Sequence, residues 1–199
     1  MNDSLDLGLK EKVAIIAGAG AKGDGIGNGR AAAILLAEAG AKVVVADKDQ
    51  ELAEKTVQMI SERKGHAVSV AADLTKATDC EKVVEYALNH YGRLDVLDNN
   101  IGIASNLSVV EESEEYWDRV MAVNLKPMFL MSKYAIPAMI SSGDGGSIVN
   151  ISSISATRPK GLTAYSTSKG AVLSLTQAMA VDHGSDSIRV NCILPGPVY

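Results

Sequence analysis

With 199 residues, 47% hydrophobic but only 4% aromatic, the chain has the make-up of one globular domain whose core is built from Val, Ile, Leu, Ala and Met. A formal charge of -5 and the lack of any Lys/Arg run argue against a nucleic-acid surface, and two distant cysteines, Cys80 and Cys192, with three scattered histidines, His66, His90 and His183, argue against a disulfide framework or a metal site. The first ten residues lack the basic start and apolar block of a signal peptide, and no apolar run is long enough to cross a bilayer, so a soluble cytoplasmic protein with small-molecule partners is expected.

Residues 13–17 are an uninterrupted apolar run, the pattern of a parallel strand buried on both faces. Glycines follow at once, from Gly18 to Gly29, and residues 30–39 then read as a helix closed by Gly40. Strand, glycine loop and helix form a phosphate-binding arrangement, because glycines let the backbone approach a pyrophosphate and the helix N-terminus favours its charge. Gly18, Gly20 and Gly23 match G-x-G-x-x-G literally, a weak signal when it stands alone. Residues 42–47 predict a second buried strand ending in Asp47, about 20 residues beyond the loop, where ribose hydroxyls are held in dinucleotide-binding folds.

A helix over residues 50–63, a strand over 67–71, the pair Asp73-Leu74 and a helix over 77–91 come next. Residues 95–102, Asp-Val-Leu-Asp-Asn-Asn-Ile-Gly, supply a fourth strand and a turn. Strands alternating with helices specify a parallel sheet with right-handed crossovers and ligands at the carboxyl ends of the strands. Residues 114–142 read as helical but interrupted at Pro127, whose missing N–H predicts a kink or restart near Asn124 that exposes backbone carbonyls. Residues 146–152 predict a fifth strand, a helix follows to about residue 183, and residues 188–194 predict a sixth strand. Tyr165 and Lys169 stand at i and i+4 on one face of that last helix, so an ammonium lies beside a phenol. A free phenol titrates near ~10, and lowering it by about three units takes roughly 4 kcal/mol of preferential phenolate stabilisation, part of which a nearby Lys supplies.

The glycine loop, Asp47, Asp73, Asn99-Asn100-Ile101-Gly102, Asn124, Ser152-Ser153, Tyr165-x-x-x-Lys169 and Pro195-Gly196, in this order, resemble the short-chain dehydrogenase/reductase family from about Lys12 onward. The resemblance implies an α/β fold, a Rossmann-type doubly wound parallel sheet in strand order 3-2-1-4-5-6, with residues 1–11 as an N-terminal extension and 12–199 as one dinucleotide-binding and catalytic domain. It implies Tyr165 as general acid/base, Lys169 holding the nicotinamide ribose and lowering the Tyr pKa, Ser153 orienting the substrate oxygen and Asn124 anchoring a proton-relay water. The cofactor positions it implies are Gly18, Gly20, Gly25, Ile26, Gly27, Asp47, Asp73, Leu74, Asn100, Gly102, Pro195, Gly196 and Val198, together with Tyr165 and Lys169. It further implies an oxidoreductase moving a hydride between NAD(H) and a secondary alcohol or ketone, with no metal, in a homotetramer.

Four departures stand out. Six residues, not the family's three, separate Gly18 from the Gly25-Ile26-Gly27 that opens the helix, and the extension carries Asp24, which would repel a pyrophosphate unless turned outward or offset by Lys22. Asp98 and Ile101 replace residues that the family keeps as an apolar strand residue and Ala; a buried unpaired Asp is costly, so Asp98 is expected to find partners. Counting from the strand points to Ser153 as the substrate-facing serine, while counting back from Tyr165 points to Ser152; the strand count is preferred, since a loop deletion costs less than a register shift. Family members usually continue beyond Tyr199 through a helical segment, another helix and a seventh strand, so the domain is expected to be truncated at its C-terminus. A catalytically idle dinucleotide-binding sensor or scaffold is the alternative reading, and a Rossmann-like methyltransferase a third, though nothing in methyl transfer calls for Tyr165 and Lys169. Asp47 favours NAD over NADP, because a 2′-phosphate would meet its carboxylate; Lys48 offsets only part of that repulsion.

Overall fold

The computed structural model describes residues 7–21 and 25–197, so the expectations that rest on Lys22, Gly23, Asp24 and Val198 lie outside the described residues. Six parallel strands, β1 (Val13–Ala17), β2 (Lys42–Asp47), β3 (His66–Ala71), β4 (Val96–Asn99), β5 (Gly146–Ile151) and β6 (Ile188–Ile193), form one sheet in the order β3-β2-β1-β4-β5-β6. The chain works outward from β1 in one direction and then returns to lie on its other side. Between β1 and β4 the order therefore reverses, and such a switch point opens a crevice at the carboxyl ends of the two strands.

The alternation of side chains along each strand builds two cores. One face carries Ala14, Ile16, Val43 and Val45 against α1 (Asn28–Glu38) and α2 (Gln50–Glu62), through Ala33, Ile34, Ala53 and Ile60. The other carries Ile15, Leu97, Ile148 and Val190 against α3 (Ala77–Tyr91), α5 (Lys126–Ser141) and α6 (Thr163–Asp182), through Val83, Val84, Met131, Met139 and Met179. Every residue of β1 is fully buried, as its unbroken apolar run requires.

The expected interruption at Pro127 is a full break. Helix α4 (Glu114–Asn124) ends where expected, Leu125 carries φ -113 and ψ -51, and α5 restarts with Pro127 in its first turn, where a missing N–H costs nothing. The Met128 N–H, which a continuous helix would send to the Asn124 carbonyl, donates instead to Leu125 O at 3.1 Å. A second proline, Pro137, lies inside α5 without ending it. A buried polar line ties β4 to β5 and α6: Asn99 Nδ2 donates to Asn150 Oδ1 at 2.9 Å, and Asn150 Nδ2 to Thr176 Oγ1 at 3.0 Å. That line holds α6 in register over the strand ends. Among the described residues no helix is long and apolar enough to cross a membrane, and no three His, Cys, Asp or Glu side chains gather as metal ligands.

Candidate active site

At the carboxyl end of β1 the chain turns at Gly18, with φ +86, where a side chain would press on Asn100 O at 3.0 Å. A Cβ on Gly29 would meet Gly18 O at 2.3 Å, so α1 packs on the turn as closely as backbone permits. The Asp47 carboxylate accepts the Gly20 N–H at 2.9 Å and the Asp49 N–H at 3.1 Å, and a Cβ at Gly20 would lie 2.8 Å from it. Gly25 opens on free space, and Gly27 starts α1 with φ +61. These glycines leave a backbone cradle with a carboxylate at its far rim, the shape and charge a dinucleotide's pyrophosphate and adenosine ribose require.

Beyond Asn100 the crevice widens into a cleft of about 350 Å³ lined by Asn28, Asn100, Ile101, Gly102, Ser152, Ser153, Tyr165, Lys169, Pro195 and Gly196 among others. Helix α6 begins two residues before Tyr165, so Tyr165 and Lys169 stack one turn apart, with Lys169 Nζ 6.0 Å from the Tyr165 ring centre. Lys169 is almost fully buried and donates to two carbonyls, Ile151 O at 2.8 Å and Ile101 O at 3.4 Å. Burial pushes its ammonium down to about 8, with Cys192 opposing the shift only in part. Ser152 and Ser153 divide their tasks: Ser152 Oγ donates to Lys169 O at 2.7 Å, whereas Ser153 Oγ accepts the Ser155 N–H at 3.1 Å and caps a short 3-10 turn over Ile154–Ala156. The Ile154 N–H reaches Pro195 O at 3.0 Å, which brings the stretch after β6 to the cleft wall.

The pattern matches known proteins over most of its length. The family model described as short chain dehydrogenase matches residues 12–199. The chain belongs to the short-chain dehydrogenase family. It is 42% identical over 196 residues to an uncharacterized oxidoreductase of Thermotoga maritima, covering 96% of this chain and 73% of the relative. To a cyclohexanol dehydrogenase of Acinetobacter sp. (strain SE19) it is 37% identical over 190 residues, covering 94% and 73%. Its fold superposes with a TM-score of 0.88 on a 7α-hydroxysteroid dehydrogenase solved with NADH and 7-oxo glycochenodeoxycholic acid, at 34% identity, covering 94% of this chain and 71% of that one.

Within this short-chain dehydrogenase, the residues singled out in the sequence divide into four groups. Asn100, Gly102, Ser153, Tyr165, Lys169, Pro195 and Gly196 line the cleft itself, and Gly18, Gly20, Gly25, Ile26, Gly27 and Asp47 surround the cradle beside it. Asn124 lies behind the cleft and is fully buried: its Oδ1 accepts the Ile103 N–H at 2.7 Å, and its Nδ2 donates to Ile103 O and Ser168 Oγ, each at 3.0 Å. Asp73 and Leu74 are turned to local work. The Asp73 carboxylate accepts from Thr75 Oγ1 at 2.7 Å and pairs with Lys76, contacts that hold it below the usual carboxylate range, and the Leu74 side chain belongs to the core.

The expectation for Asp98 needs correction. Its Oδ2 accepts only from Asn100 Nδ2, at 3.3 Å, and its Oδ1 has no partner among the described residues. It sits in register between Ile16 and Val149, neither of which has a side chain able to donate, so burial raises its carboxyl to about 6 while the Asn100 bond pulls weakly the other way. Four contributors escaped the sequence reading: Gly29, Asn28 on the cleft wall, Ser168, and Arg30, whose guanidinium is buried beside the glycine loop. Arg30 carried a visible signal, because Arg30, Ala33, Ile34 and Ala37 fall at i, i+3, i+4 and i+7, the buried stripe of α1.

Proposed function

We propose that this short-chain dehydrogenase oxidises a secondary alcohol, or reduces the corresponding ketone, with NAD(H), and that Tyr165 is its general acid/base. The single observation that carries the reading is the convergence of Tyr165, Lys169 and Ser153 on one cleft beside a glycine cradle rimmed by Asp47. A bound nicotinamide dinucleotide would supply the hydride chemistry. In the oxidation Tyr165 takes the proton of the substrate hydroxyl, and in the reduction it returns one to the same oxygen. Lys169 stands one turn away with its ammonium near the ring, so positive charge is available where a phenolate forms. Ser153 is the better partner for the substrate oxygen, because its hydroxyl accepts from Ser155 and keeps its own proton to give, while the Ser152 proton is taken up by Lys169 O. Asn124 ties the 101–104 loop to α6 through Ser168, which itself donates to Tyr165 O at 2.7 Å, and the helix break beside it supports the proton-relay role.

Asp47 supports NAD over NADP, since a 2′-phosphate at the loop rim would meet a carboxylate already drawn in by Gly20. Self-association, in the family's usual tetramer, is supported by an apolar groove of about 530 Å³ across α4, α5 and α6, lined by Met121, Leu125, Phe129, Ala171 and Leu175. The substrate class is supported by the relative that bears the name cyclohexanol dehydrogenase. A panel of secondary alcohols and cyclic diols assayed for NADH formation tests the proposal. NADH release from at least one of them is expected; binding of NADH without turnover of any would favour a catalytically idle sensor.

A further inference from the structure

Arg30 is 1% exposed, and it stands in the first turn of α1, where the helix dipole disfavours a cation. Placement for stability would avoid that position. The side chain is nevertheless saturated with directed bonds: Nε donates to Thr56 Oγ1 at 2.9 Å, and the two terminal nitrogens donate to Gly25 O at 2.9 Å and Ala21 O at 3.1 Å. Thr56 Oγ1 in turn donates to Ala19 O at 2.9 Å. Three carbonyls of the glycine loop, from both of its ends, are thus gathered onto one buried fork and one hydroxyl presented by α1 and α2.

In a trans peptide the C=O and the following N–H point in opposite directions. Drawing Gly25 O inward onto Arg30 therefore turns the Ile26 N–H outward, on the side where Gly25 opens on free space. A planar fork can set two carbonyls at once, which a lysine cannot. The Ala21 and Gly25 carbonyls stand on either side of residues 22–24 in the chain, so one side chain fastens both described ends of the loop. We propose that Arg30 is a positioning residue of the dinucleotide site, fixing the two described ends of the glycine loop, Ala19–Ala21 and Gly25, so that the Ile26 N–H faces the pyrophosphate of the bound cofactor. This rests on the dinucleotide reading given above.

The pyrophosphate is separable from the adenosine, which Asp47 serves at the other rim. Calorimetric titration of the full chain with ADP and with adenosine therefore tests the idea. Arg30→Met should weaken ADP binding by about tenfold or more while adenosine affinity stays within about twofold. Arg30→Lys, which keeps the charge but reaches one carbonyl, should recover part of the loss, and it carries the comparison alone if the Met variant does not fold. Equal ADP affinity in wild type and both variants would overturn the proposal. So would a parallel loss of ADP and adenosine, which a merely structural role produces. Failure of the wild type to bind ADP or NADH would strike at the dinucleotide reading itself, and the two failures are thereby distinct.

Discussion

Two aspartates three residues apart, one just before the central strand β4 and one inside it, meet opposite fates. Asp95, at the amino end of β4, accepts from Arg93 at 2.6 and 2.8 Å, from Lys12 at 3.1 Å and from the Val13 N–H at 2.9 Å. Burial pushes its carboxyl up, but Arg93, Val13 and Lys12 together outweigh burial and hold it below the usual range. Asp98, near the carboxyl end, has one weak partner and is raised to about 6. The difference separates the two ends of the sheet by purpose. The amino end satisfies its charges and stabilises the fold; the carboxyl end holds Lys169, Asp98 and an Asn99 Oδ1 that has no partner among the described residues in costly states at or near the cleft.

The sharpest way to break this comparison is Asp95→Ala, which leaves the buried Val13 N–H without its acceptor and Arg93 and Lys12 with the exposed Asp144 in place of a buried carboxylate, and should cost roughly 3 kcal/mol, lowering the thermal midpoint at neutral pH by roughly 6–12 °C. The folded pKa of Asp95 lies below the unfolded value near ~3.9, so its contribution is complete above that pH and drains away as the pH falls through the folded value. Wild-type and variant melting curves should accordingly converge in acid. Asp98→Asn should act in the other direction. Its folded pKa lies above the unfolded one, so the wild type loses stability as the pH rises from about 4 to 6, and above that the variant should be more stable by roughly 2–3 kcal/mol. Denaturant titrations at pH 4 and pH 8 check it: the gain should be present at pH 8 and absent at pH 4. A smaller effect is expected at the cradle, where NAD should be preferred over NADP at least about tenfold in kcat/KM, or about 1.4 kcal/mol, and Asp47→Ala should narrow that ratio. An unchanged ratio would mean that Asp47 does not read the ribose.

Most of the fold was legible, because fully buried parallel strands write themselves as unbroken apolar runs, as in residues 13–17 and 42–47, and because Pro127 announces the break after Asn124. Strand β5 was read one residue too long: it ends at Ile151, although the Ser152 N–H still donates to Ile193 O at 2.8 Å. Within the site, Tyr165, Lys169 and the glycines were legible from spacing, and the two serines from a count along the strand. The surroundings of Arg30, despite its place on the buried stripe of α1, and of Asp98 were not, and for one reason. Local pattern assigns charged residues to solvent or to a partner, whereas here tertiary packing buries an arginine against carbonyls and an aspartate against aliphatic neighbours.

The central claim is that the carboxyl-end cleft does chemistry through Tyr165. Tyr165→Phe removes one hydroxyl from a partly exposed ring and leaves the cradle untouched, so NADH affinity should stay within about twofold of wild type while NADH formation from a secondary alcohol falls by roughly a thousandfold or more. A Phe variant that keeps a tenth of the wild-type kcat would contradict the claim.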